Sequence, residues 1–146
     1  MHGHPTNDRV ALLNSMFRVE HYFQHSIFMY RKLWQRVGGY NNSITFGEDL
    51  DLCAKFLLDG KSPLYLRTVS HIHRNHSDSL THNYTYHASV VEVRDHYSRH
   101  REALKEVLGD DQIHYLDRFY AQDPLPKARG SFHPYLLNPP PATYLR

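Results

Sequence analysis

Residues Phe46–Gly60 read FGEDLDLCAKFLLDG. Leu50, Cys53, Ala54 and Leu57 recur at the i, i+3, i+4, i+7 spacing of a helix with one buried face. Asp51, Lys55 and Asp59 fall four apart on the other face, where ion pairs are mildly stabilising, so Asp51 is expected to face solvent. Glu48 and Asp49 sit at the start, where the helix dipole favours negative charge, and Gly60 supplies the stop. Between Leu52, Ala54 and Phe56, Cys53 reads as a buried small hydrophobe rather than a reactive thiol. The acids themselves admit three readings: a charged helix start, a metal site or the base of an enzyme. Gly47 allows a ligand close to the backbone, and a carboxylate at an element junction is readily aimed into a cleft. A general base needs that fixed placement within reach of the proton it removes.

Upstream, RVALLNSMF (Arg9–Phe17) is apolar enough for a short helix or strand. Ser26–Tyr30 alternates and suits a strand, and Arg31–Val37 suits a short helix stopped by Gly38-Gly39. Downstream, Ser62–His73 is rich in β-branched and aromatic residues and reads as a strand opened by Pro63. Arg74–Asn83 is a polar loop. Val90, Val93, Tyr97, Leu104 and Val107 predict a long helix over Ala88–Leu108, ended by Gly109, with a further short helix over Ile113–Tyr120. The tail after residue 120 holds most of the prolines and suits extended chain. The order strand, helix, acidic helix, strand, helix predicts an α/β fold, with too few strands to complete a doubly wound sheet.

The bulk numbers narrow the classes. A chain of 146 residues, 40% hydrophobic and 22% charged, fits one domain with a modest core. A net charge of +2 with scattered basic residues gives no electrostatic case for nucleic acid. The single cysteine excludes an internal disulfide and any zinc site needing two thiolates. No window reaches the length of apolar chain that a membrane span needs.

Histidine is abundant, at 13 residues, and HIHRNH places His71 and His73 on one face of the expected strand with His76 beyond. Three imidazoles can hold a catalytic zinc, which defines one reading, a metal-dependent hydrolase. The scatter of histidines elsewhere favours single roles, as one ligand or one phosphate contact. The hydroxyl-rich HSDSLTH (His76–His82) suits either a turn or hydrogen bonds to phosphate or sugar. Aromatics such as Tyr22, Phe28, Tyr30, Trp34 and Tyr40 suit the core or a sugar platform, and Trp34 is the first choice for core.

Taken in order, FMYRKLWQRVGGYNNSITFGEDLDLCAKFLLDGKSPLYLRTVSHIHRNHSDSLTH (Phe28–His82) resembles the second half of the catalytic domain of family 2 glycosyltransferases, inverting enzymes of the GT-A fold. The shared parts are an arginine leading into VGGY, then FGEDLDL, then a helix ending in DGK, then Arg-x-His-x-x-Ser at Arg74, His76 and Ser79. The resemblance implies a partial GT-A fold: the acceptor-side half with a long C-terminal helix, lacking the N-terminal nucleotide-binding strands. It divides the chain into 1–24, joining a missing donor-binding half, 25–83, the acceptor-side part, 84–120, a helical region, and 121–146, a Pro-rich tail. It implies Asp49 as catalytic base and Glu48 as its support or an acceptor contact. Gly47, Trp34 and Asp51 would bind acceptor, Arg74 and Ser79 the diphosphate, and His76, with His73 as second choice, the metal. Mg²⁺ or Mn²⁺ is the expected cofactor, and a nucleotide-sugar and a glycan or lipid-linked acceptor are the expected partners, with no nucleic acid. The expected location is cytoplasmic, at or near the inner face of a membrane. The Asp-x-Asp motif of the donor half has no counterpart here except Asp49–Asp51, which is misplaced for it. The chain is therefore expected to be a fragment, inactive by itself and prone to self-association. The alternative is a non-catalytic interaction module derived from the same fold.

Overall fold

The computed structural model describes residues 7–18, 27–44, 47–64 and 86–122, the stretch 86–90 by its backbone alone. Among the described residues the regular structure is five helices: α1 (Arg9–Phe17), α2 (Arg31–Arg36), α3 (Glu48–Leu58), α4 (Tyr86–Leu108) and α5 (Asp110–Tyr120). The α/β expectation is overturned, because no strand occurs among the described residues.

Each helix end has a local cause. Asp8 caps α1, its Oδ1 accepting from Val10 N at 2.9 Å and Ala11 N at 3.2 Å, which satisfies donors the helix leaves open. α2 and α3 end alike. Gly38 N donates to Gln35 O and Gly39 N to Trp34 O, while Gly60 N donates to Leu57 O and Lys61 N to Phe56 O. These paired bonds form the Schellman closure, and Gly38 (φ 80°) and Gly60 (φ 82°) take the left-handed backbone it requires. The glycine stops read from sequence are thus where the chain reverses.

Neither expected strand forms over its described residues. Ile27–Tyr30 keeps its alternation, with Phe28 and Tyr30 at 80% and 85% exposure and Ile27 and Met29 half-buried. Alternation only assigns side chains to two sides; a strand also needs a hydrogen-bonded neighbour, and this stretch, ending in the extended Tyr30, leads into α2. Ser62–Leu64 likewise has no regular secondary structure, and Leu64 stands out to solvent. The remainder of that expected strand, the polar loop and the tail beyond residue 122 lie outside the described residues.

α4 is the central element, packing against α1, α3 and α5, while α1 also packs on α3. The core joins Leu12, Leu13, Met16 and Phe17 of α1 to Leu50, Cys53, Ala54 and Leu57 of α3. From α4 it takes Val93, Tyr97 and Leu104, and from α5 Ile113, Leu116 and Tyr120. Tyr97 stacks on Tyr120 with ring centroids 5.1 Å apart and meets Phe17 edge-on at 6.2 Å. α2 buries no residue. Trp34, expected in the core, is 38% exposed, its indole lying over Gly39, where an added Cβ would meet Trp34 Cζ2 at 2.5 Å.

Candidate functional site: an acid pair on a braced helix start

Gly47 precedes α3 with φ 75°, a left-handed conformation that turns the chain sharply into the helix. Glu48, exposed, and Asp49, half-buried, follow in the first turn, and Asp49 Oδ1 accepts from Leu50 N at 2.8 Å. Two residues along a helix is about 200° of rotation, so Asp51 points away from Asp49. It faces α4 and is 1% exposed, which corrects its expected place on the solvent side.

What Asp51 meets explains the burial. His100 Nε2 donates to its Oδ1 at 2.8 Å, and Lys55 Nζ lies 2.8 Å from its Oδ2. Lys55 also donates to Gly39 O at 3.1 Å, tying the turn after α2 to α3. An Arg36–Asp59 ion pair makes a second tie between α2 and α3. Burial pushes the Asp51 pKa up, but His100, His96 and Lys55 pull it down further, so the carboxyl is held well below the usual carboxylate range. His96 Nδ1 lies 3.7 Å from the same Oδ1 and 3.0 Å from Arg99 Nη1.

His96 is fully buried beneath the acid pair's turn: a Cβ added to Gly47 would lie 3.1 Å from its Nε2. Neither His96 nor His100 was singled out from sequence. The available signal was their spacing of four on one face of α4, masked by the many other histidines.

The buried Cys53 thiol is pushed up by its burial and, secondarily, by the charge of Asp49, so it is inert packing, as its neighbours suggested. The structure therefore places Gly47, Glu48 and Asp49 at one helix start and turns Asp51 away toward α4, with Trp34 connected to α3 through Gly39 and Lys55. His71, His73, Arg74, His76 and Ser79 lie outside the described residues. Among the described residues no three acid, histidine or cysteine groups are placed to hold a metal ion. No described helix is long and apolar enough to cross a membrane. An open depression at the α4–α5 joint is lined by Arg101, Asp110, Asp111, Ile113, His114 and Asp117, and none of the acid-pair residues contributes to it. No protein-family model, curated protein or solved structure matches the chain.

Proposed function

We propose that the chain is the acceptor-side part of a family 2-like glycosyltransferase, with Asp49 as the base for the acceptor hydroxyl. The chemistry is an in-line displacement. The acceptor oxygen attacks the anomeric carbon, the bond to the nucleoside diphosphate breaks, and the hydroxyl proton passes to Asp49. Glu48 steadies the acceptor, and Gly47 lets it approach the backbone. The donor-binding part supplies the nucleotide-sugar. The proposal concerns the acid pair and includes no α/β sheet. The divalent cation expected for such an enzyme finds no fitting group among the described residues, so no step is routed through it.

The observation that carries the proposal is the division of labour within Gly-Glu-Asp-x-Asp. Asp51 is consumed as a buried anchor to α4, while Glu48 and Asp49 stand at a helix start whose backbone that anchor fixes. Rigid placement of a carboxylate at a partly open helix start is what a general base requires. One observation favours the non-catalytic module instead: Asp49 Oδ1 accepts from Leu50 N, as a purely structural acid at a helix start would.

The experiment joins the chain to a donor-binding part and measures sugar transfer from a panel of nucleotide-sugars, with wild-type chain and Asp49→Asn. The variant is expected to lose roughly 10²- to 10⁴-fold in rate, the usual contribution of a positioned base. Transfer unchanged by Asp49→Asn removes the base assignment. Absence of transfer by the wild type, with the chain still binding glycan or protein partners, selects the interaction module.

A further inference from the structure

Among the described helices α2 alone buries no residue. Leu33 and the capping Val37 are half-buried, and the rest of the helix is exposed. Six residues are too few to hold a helix in water without tertiary support. Among the described residues that support is polar and lies at the far end of α2. Lys55 Nζ donates to Gly39 O at 3.1 Å, and Arg36 pairs with Asp59. At the near end Ile27 packs against the core.

We infer that α2 is an ionically latched element: Phe28–Gly39 lifts from α3 as a unit and loses its helix, while the core and the start of α3 stay in place. The unit parts at its ties because little apolar surface holds it. Phe28 and Tyr30 are already 80% and 85% exposed, and no core residue belongs to the unit. The Arg36–Asp59 pair joins side chains that are 53% and 29% exposed, so water replaces it readily and salt screens it.

The other half of the latch stays formed when α2 leaves. Lys55 Nζ lies 2.8 Å from Asp51 Oδ2, and His100 holds Asp51 Oδ1, so the socket on α3 is fixed by the buried carboxylate and not by Gly39. Lys55 follows Glu48 by seven residues, about 10 Å along the helix axis. An aromatic-bearing flank, with Tyr30 and Trp34, thus moves two turns from an acid pair whose bracing does not move. This device goes beyond the proposed reaction and does not rest on it.

The test is amide hydrogen exchange of the full chain, each rate corrected for the intrinsic rate of that amide, with urea and KCl varied. The reporters are the Trp34, Val37 and Gly39 amides, bonded to Tyr30 O, Leu33 O and Trp34 O, against core amides of α4. The three α2 amides are expected to share one opening, with much weaker urea dependence than the α4 amides. Asp59→Ala is expected to speed all three by roughly 2- to 5-fold and to leave the α4 amides unchanged. Raising KCl from about 0.05 to 1 M is expected to do the same in the wild type and not in Asp59→Ala. Gly39→Ala, whose Cβ would meet the Trp34 indole at 2.5 Å, is expected to open the unit by a further factor, again without touching α4. Exchange of the α2 amides with the same rate and urea dependence as the α4 amides overturns the inference. So does an Asp59→Ala effect that is absent, or that reaches the α4 amides equally.

Discussion

Gly47 shows how two constraints meet at one residue. Its φ of 75° strains any side chain, at a cost of about 1–2 kcal/mol. A Cβ would also lie 3.1 Å from His96 Nε2, so the buried ring would have to give way. Gly47→Ala is therefore expected to lower the unfolding free energy by about 2 kcal/mol or somewhat more, measured by urea titration. Among the described residues, the group that meets the side-chain face of Gly47 is His96. Asp51 carries the complementary lesson. Its spacing from Lys55 correctly paired those two, as the 2.8 Å contact shows. The same spacing put it in solvent, because its other partner, His100, lies 49 residues away in the chain and leaves no local trace.

At the scale of elements, the helices were largely legible and their neighbours were not. Residues Leu50, Cys53, Ala54 and Leu57 of α3 are buried in the core as their spacing predicted, and Asp51, Leu52 and Phe56 are buried as well. The long helix runs Tyr86–Leu108 against an expected start at Ala88, and α5 begins at Asp110 rather than Ile113. Its first-turn acids Asp110 and Asp111 suit a helix N-terminus. What joins α4 to α5 was not read from sequence. Arg101 grips Asp117 through Nε at 3.0 Å and Nη2 at 2.7 Å, and the buried Tyr97 hydroxyl donates to the same carboxylate at 2.6 Å. Tyr97→Phe keeps the ring stack and deletes that bond, so it is expected to cost about 1 kcal/mol with no change in the urea m-value. Loss much beyond 3 kcal/mol would mean that the ring packing, rather than the hydroxyl, was disturbed.

At the scale of the whole molecule, stability should depend on acid through two carboxyls among the described residues, Asp117 and Asp51. Asp117 is drawn down to about 2, chiefly by the Arg101 hydrogen bonds against the opposing effect of burial, with Tyr97 assisting. Asp51 is lowered further by its own partners. A carboxyl whose folded pKa is depressed contributes stability that is fully present above its unfolded pKa of about 3.9 and is lost as pH falls through the folded value. The unfolding free energy is thus expected to fall between about pH 4 and pH 2. In Asp117→Asn the fall should be shallower, so the gap between variant and wild type closes as pH drops. Urea titrations at neutral pH and across that acid range check it, and a gap that stays constant would show that Asp117 carries no such linkage. The sequence by itself marked where α2, α3 and α4 stop, because glycine closures act within a few residues. It also marked the acid pair. Only the tertiary structure decided that the alternating segment before α2 stays unpaired and that Trp34 lies outside the core. It alone placed Asp51 inside, between His100 and Lys55 and beside His96. Those outcomes depend on partners distant in the chain, and local periodicity carries no information about which partner arrives.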